Sequence, residues 1–310
     1  MAAPESVSSA IEPTSDITIA VVTASWNRRD LLANLHGSLM LQTDPDFVWL
    51  VMDDASTDGT PEWLTEVEAI DDRVRSERNL RNRGKCASLN TLFRLGGADF
   101  YLVVDSDDTL HPEAIETVKD YASRYALNPS VGAIFFGYGG TEEDRLRSTR
   151  PFPDGLVCSR SKFNELYGKF DGCVGYFRRA VEKFQYPEYP GETYVGPTVL
   201  QLMMHPQFEI CFTAAEVGLA QYQVGGLTAA GRSLRIANPL GMMDYTRLQA
   251  EQADVLSVRF VNALLYYAYS ARTSQSVRAA RGLAVGRGVS AVSKVLGRAV
   301  SFYWRWRYKA

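Results

Sequence analysis

The chain has 310 residues, 46% of them hydrophobic and 22% charged, and a formal charge of −3. That supplies enough apolar material for one large core or two modest ones, and it excludes a disordered or collagen-like chain. The near-neutral total hides an uneven distribution: residues 255–310 hold ten Lys/Arg and no acid, leaving 23 basic and 36 acidic side chains, a net charge of −13, for residues 1–254. An acidic body disfavours nucleic acid as its ligand, while a basic tail points to an anionic surface.

Residues 1–16 read as a disordered leader, with acids at Glu5, Glu12 and Asp16 and without the basic-then-apolar order of a signal peptide. Ile17 to Thr23 is a first strand, apolar enough to be a buried parallel one, and it ends in the polar turn Ala24 to Asp30. Asp30 is placed to cap a helix carrying Leu31, Leu32, Leu35 and Leu39. A second strand, Phe47 to Met52, runs into Asp53-Asp54-Ala55-Ser56-Thr57-Asp58-Gly59, after which Thr60 and Pro61 start another helix. Val74 marks a third strand, and the loop Arg78 to Lys85 leads into a helix through Leu89, Leu92 and Phe93. A fourth strand, Phe100 to Val104, delivers Asp105-Ser106-Asp107-Asp108. Strands alternating with helices predict a mostly parallel, doubly wound α/β sheet, with the turns after strands one, two and four on one rim.

Beyond a helix at about Pro112 to Tyr125 and an apolar run from Val131 to Phe136, the alternation weakens, which predicts a more irregular second half. A short helix at about Thr198 to Met204, strands at Phe208 to Phe212 and Val217 to Val224, and helices from Asn238-Pro239 toward Ala271 complete the reading. The four cysteines, Cys86, Cys158, Cys173 and Cys211, show no zinc or C-x-x-C spacing and are expected as reduced thiols in a cytosolic protein. No apolar run approaches the ~18 residues of a membrane span.

The Asp105 cluster carries the chemistry. Carboxylates one residue apart, at the carboxyl end of a buried strand, can share a hard cation and leave positions open for phosphate oxygens. The same residues would equally serve as an Asp-rich turn capping the next helix. A dinucleotide site needs G-x-G-x-x-G after strand one, where this chain has Ala-Ser-Trp-Asn-Arg-Arg, and a P-loop is absent because Cys86 follows Gly84-Lys85. A metal-bridged nucleoside diphosphate fits better.

Taken together and in order, VVTASWNR, LVMDDASTDGT, NRGKCASLN and VVDSDDTLHPEAI resemble the inverting family 2 glycosyltransferases of GT-A fold, over about residues 17–120. The resemblance implies a GT-A sheet flanked by helices, a nucleotide-sugar donor, a UDP-sugar first among them, and Mn²⁺ or Mg²⁺ on Asp105 and Asp107. It also implies that Thr23 and Asp54 lie at the base and that Asn82 and Gly84 shape the loop beside the diphosphate. Asp53 is assigned to the turn itself. Residues 17–120 are then the donor-binding half, 121–237 the acceptor-binding half, and 238–310 a helical, basic extension.

The resemblance also implies that an Asp or Glu of the second half deprotonates the acceptor hydroxyl from the face opposite the leaving group. The Pro/Gly-rich stretch Pro187 to Tyr194 supplies Glu192, with Glu188 as the alternative, although Pro190 stands where a second acid is expected. Gly225 to Arg235 reads as a mobile loop able to close over a diphosphate through Arg232 or Arg235. His205 is a weaker candidate for a third metal ligand. In the tail, aromatic residues interleaved with cations, ending in Phe302-Tyr303-Trp304-Arg305-Trp306-Arg307, suit a headgroup layer. That predicts peripheral binding at the cytosolic face of the membrane and a saccharide or lipid-linked acceptor. The rival for the tail is a basic helix packed on the acidic body or at a homo-oligomer interface. A sugar-nucleotide nucleotidyltransferase and a non-catalytic binding module of the same fold are the alternatives for the whole chain.

Overall fold

The computed structural model describes residues 17–139, 150–168, 171–220, 227–273 and 283–308. The first half follows the βα alternation: β1 (Ile19–Ser25), α1 (Arg29–Met40), β2 (Val48–Asp53), α2 (Thr60–Ile70), β3 (Val74–Arg78), α3 (Lys85–Leu95) and β4 (Phe100–Val103). Then come β5 (Thr109–Leu110), α4 (Ala114–Tyr125), β6 (Val131–Gly139), β7 (Leu156–Cys158), α5 (Arg160–Tyr167), β8 (Gly172–Phe177) and α6 (Arg178–Val181). The chain finishes with α7 (Val199–Met204), β9 (Glu209–Leu219), α8 (Leu227–Ala237), α9 (Pro239–Gln252), α10 (Leu256–Ser270) and α11 (Arg287–Tyr308).

The strands form one sheet in the order β3-β2-β1-β4-β8-β6-β9-β5, with β7 beside β9. β1 to β4 are mutually parallel, and β8 then enters antiparallel to both β4 and β6. Period-two alternation sends the strand side chains to two cores. Ile19, Val21, Phe100 and Leu102 pack with Leu32, Leu35, Leu64 and Val118 of α1, α2 and α4 on one face. Ala20, Val22, Tyr101 and Val103 pack with Cys86, Leu89 and Phe93 of α3 on the other. A third core, with Ile236, Met243, Tyr266, Tyr269 and Trp304, joins α8 to α11.

Several local expectations change. Arg28, rather than Asp30, is the cap position of α1, and no side chain caps it. The turn after Asp108 forms β5, antiparallel to β9, so α4 starts later at Ala114. β9 runs unbroken through Glu209–Leu219, merging the run at Phe208 with the start of the one at Val217, while residues 221–224 lie outside the described ones. Arg232 and Arg235 stand on helix α8, bent at Gly231 (φ 52°, ψ −124°), rather than on a loop. Gly225 and Gly226 lie outside the described residues.

Candidate active site

Parallel pairing of β1 with β2 and β4 brings the turns after Ser25, Asp53 and Val103 to one rim. The first two turns are laced together: Asn27 N–H donates to Ser56 Oγ (2.8 Å), Thr57 N–H donates to Asn27 Oδ1 (2.8 Å), and Asp54 N–H donates to Ser25 O (2.8 Å). Asn27 and Ala55 both hold positive φ, 52° and 65°. For Ala55 that conformation is costly, and the surrounding bonds sustain it.

The two adjacent aspartates divide their work. Asp53 accepts the Ser56 amide (3.0 Å) and lies 3.1 Å from Arg78 Nε, so it belongs to the turn. Asp54, buried, turns onto the next loop: Oδ1 accepts Asn79 Nδ2 and the Arg83 amide (2.8 Å each), and Oδ2 accepts the Gly84 amide (2.7 Å). Asn82 is half-buried in the loop so held. Gly84, at φ +87°, opens α3 in such close contact with Thr193 that an added Cβ would lie 1.7 Å from its carbonyl oxygen. Thr23 is fully buried, its hydroxyl accepting from Trp49 Nε1 (3.0 Å), so its side chain supports the rim from beneath.

Fixing Gly84 places Lys85, the first residue of α3, whose Nζ forms an ion pair with Asp105. Arg28, at the end of the turn after β1, puts Nη1 2.7 Å from Asp107 Oδ2. Three carboxylates within four residues therefore face two cations. Asp108 has a pKa raised to about 7, because burial disfavours its charge and Asp105 and Asp107 add like charge. Asp105 and Asp107 carry hard oxygen donors of the kind that could hold Mn²⁺ or Mg²⁺. Among the described residues no group of three or more His, Cys, Asp or Glu is gathered for a metal, and His205 lies instead 3.4 Å from Glu209. Sequence reasoning missed Lys85 and Arg28 as partners of the cluster, although each stands inside one of the motifs quoted above.

The two acid candidates across the rim have different partners. Glu192 turns both oxygens onto the start of α9, accepting the Leu240 amide (2.7 Å) and the Gly241 amide (2.9 Å). Glu188 is exposed, accepts from Asn90 Nδ2 (3.0 Å) and pairs with Arg83, next to the Gly84 turn. Burial alone would raise its pKa, but the bonds from Asn90 and Arg83 outweigh that and lower it. Arg232 and Arg235 are exposed, and the Arg232 guanidinium lies 5.6 Å from the centre of the Trp304 ring, on the side of α11.

On the α3 face of the sheet, Arg160 opens α5 with 6% exposure, its guanidinium 4.5 Å from the Phe135 ring centre. Among the described residues its Nε and Nη1 have no hydrogen-bond partner, and burial lowers its pKa to about 10. Burying a charge so sparsely hydrogen-bonded costs more than its two cation–π contacts, with Phe135 and with Phe212 at 5.8 Å, return. Arg160→Met is therefore expected to leave stability unchanged or raise it by about 1–2 kcal/mol in thermal melts. A loss above ~2 kcal/mol would assign the guanidinium a structural role.

Comparison with known proteins agrees with this fold. The TarS protein of S. aureus shares the fold, with a TM-score of 0.59 and 14% identity over 93% of this chain and 54% of TarS. So does the mannosyltransferase PcManGT of Pyrobaculum calidifontis, solved with GDP-Man and Mn²⁺, with a TM-score of 0.57 and 17% identity over 98% and 86% of the two chains. Among curated relatives, the putative teichuronic acid biosynthesis glycosyltransferase TuaG of Bacillus subtilis is 27% identical over 126 residues, 41% of this chain and 48% of TuaG. The poly(ribitol-phosphate) beta-glucosyltransferase of Bacillus spizizenii is 28% identical over 149 residues, 47% of this chain and 23% of the relative. The chain thus spans less than half the length of these two relatives. Residues 20–184, more than half of the chain, match the model of glycosyl transferase family 2, and the chain belongs to that family.

Proposed function

We propose that the chain transfers a sugar from a nucleoside diphosphate donor to an acceptor hydroxyl, with inversion at the anomeric carbon. The observation that carries this reading is the convergence, on one rim, of Asp105 and Asp107, their cations Lys85 and Arg28, and the loop locked by Asp54. Asp105 and Asp107 would hold Mn²⁺ or Mg²⁺, which when bound neutralises charge on the departing diphosphate as a Lewis acid. Lys85 and Arg28 add fixed positive charge where that negative charge develops. Thr23 and Asp54 act through the elements they support, and Asn82 and Gly84 line the approach to the diphosphate. Uridine is the base to test first, since TarS has been solved with UDP and with UDP-GlcNAc.

For the base we favour Glu188 over Glu192. Both acids have their oxygens engaged, Glu192 by the main-chain amides of Leu240 and Gly241 and Glu188 by the side chains of Asn90 and Arg83. Side-chain partners give way to an acceptor hydroxyl more readily than the start of a helix. Glu188 is exposed and sits beside the Gly84 turn through Arg83. The names of the relatives refer to teichuronic acid biosynthesis and to poly(ribitol-phosphate), and we take the acceptor here to be a saccharide or lipid-linked intermediate of a cell-surface polymer, met at the cytosolic face of the membrane.

Calorimetric titration of UDP and GDP, with and without Mn²⁺, tests the reading: UDP is expected to bind and to need the cation. In turnover of a UDP-sugar that binds, Glu188→Gln is expected to lower kcat by about 10²-fold or more and Glu192→Gln by less. If neither nucleotide binds a protein shown to be folded by circular dichroism, the transferase reading falls and a non-catalytic sugar-binding module replaces it.

A further inference from the structure

α11 is seated on α10 by one narrow stripe. Ser293, Gly297, Ser301 and Trp304 are buried, and Gly297 lies so close to α10 that a Cβ would meet the Leu264 carbonyl oxygen at 2.6 Å. Tyr267 Oη and Ser290 Oγ are 2.6 Å apart, and the Tyr269 and Trp304 rings lie 5.0 Å apart. These contacts fix the rotation of the helix, and with it what the opposite side shows.

At 100° per residue, Val292, Val295, Phe302, Tyr303 and Trp306 fall within about 100° of one another, opposite the buried stripe. All five are exposed: Phe302 by 75%, Trp306 by 73%, Val295 by 70%, and Tyr303 and Val292 by about half. Lys294, Arg298 and Arg305, also exposed, form a strip along one edge of this face, and Arg307 lies on the other edge. No acidic residue occurs from 255 to 310. A helix with broad exposed aromatic and aliphatic residues between cationic edges matches the headgroup layer of a bilayer.

We propose that this face of α11 docks in plane on an anionic lipid bilayer, with Phe302, Tyr303 and Trp306 in the headgroup boundary and the cationic edges against lipid phosphates. Docking itself stands on the α11 surface, and only its purpose, access to a lipid-linked acceptor, rests on the transferase reading. A second copy of the chain fits this face less well, because two such faces would bring their cationic edges together. Crossing the bilayer is a separate matter: among the described residues, no helix is long and apolar enough for it.

The test floats the full chain with vesicles of phosphatidylcholine alone or containing about one third phosphatidylglycerol, at low and high salt, beside Phe302→Glu/Trp306→Glu. The expected result is flotation with the anionic vesicles, suppressed by salt, and a bound fraction at least about tenfold lower for the double variant. Both side chains are exposed, so the variant's melting curve should match the wild type. Equal flotation of the two proteins, or none of the wild type with anionic vesicles at low salt, overturns the proposal. A wild-type dimer that the variant makes monomeric without changing flotation does so too, and gives the face to a second copy. UDP titration of the wild type keeps the readings apart, since vesicle binding without nucleotide binding would retain the docking and remove the transferase.

Discussion

Asp107→Asn is expected to abolish cation-dependent UDP binding while leaving the fold intact. Asp107 lies in the turn after β4 and pairs with Arg28 at 2.7 Å, both side chains being about one-fifth exposed. An ion pair with that access to water contributes only about 0–1 kcal/mol, so the melting curve should hardly move. The effect on binding is of another size. The substitution removes one of the two carboxylates assigned to the cation and leaves Arg28 without its counter-charge, at the place where diphosphate and metal must meet. A fall of about 10²–10³-fold in the affinity measured with Mn²⁺ is expected, the scale on which single preorganised charges act in such sites. Without Mn²⁺ the mutant and the wild type should differ little. Arg28→Met separates the partners: it should preserve the requirement for the cation and weaken the nucleotide by about tenfold. Metal-dependent binding that survives in Asp107→Asn would reduce the Asp105 cluster to a polar turn between β4 and β5.

The first half, β1 to β4 with the helices between them, was legible because its elements declare themselves locally. Ile19 to Thr23, Val48 to Met52 and Phe100 to Val103 are apolar runs of strand length, each followed by polar turn residues that became the rim. What stayed hidden depends on contacts distant in sequence. β8 reads Gly-Cys-Val-Gly-Tyr-Phe, with no clear alternation, because Phe100 occupies the space where a side chain of residue 175 would stand: a Cβ there would meet its ring at 2.0 Å. Lys85 and Arg28 were visible as residues, but their pairing with Asp105 and Asp107 spans 20 and 79 positions and follows from strand order. Glu192 was legible as an acid in a turn. Its partners, the amides of Leu240 and Gly241, lie 48 and 49 residues onward, on a helix whose docking no local pattern announces. Arg232 and Arg235 read as a loop because glycines surround them, yet the packing of Ile236, Met243 and Trp304 draws the segment into α8. Local propensity is a weak prior when tertiary burial opposes it.

Gly84→Ala is expected to produce the largest loss of both stability and nucleotide binding among single-methyl additions in this rim. The backbone at φ +87° and ψ 159° lies in a region that is essentially reserved for glycine, and a side chain there costs about 1–3 kcal/mol before any contact is counted. The added methyl would also lie 1.7 Å from the Thr193 carbonyl oxygen and 2.6 Å from its carbon, both main-chain atoms that cannot rotate away. Either the turn or the segment around Thr193 must therefore move. Movement of the turn breaks the 2.7 Å bond from the Gly84 amide to Asp54 and displaces Lys85 from Asp105. Movement of the other side shifts the stretch that carries Glu188 and Glu192. A destabilisation of about 3 kcal/mol or more in urea unfolding, with UDP affinity lowered at least about tenfold, is the expected result. Gly97→Ala is the control, because φ there is +90° while an added Cβ has nothing within 4 Å: it should carry the backbone cost without the collision and leave UDP binding unchanged. Should the two variants prove equally stable, with UDP affinity intact in both, the packing of Thr193 on Gly84 would lose its role in setting the site, and Lys85 would have to be positioned by α3 alone.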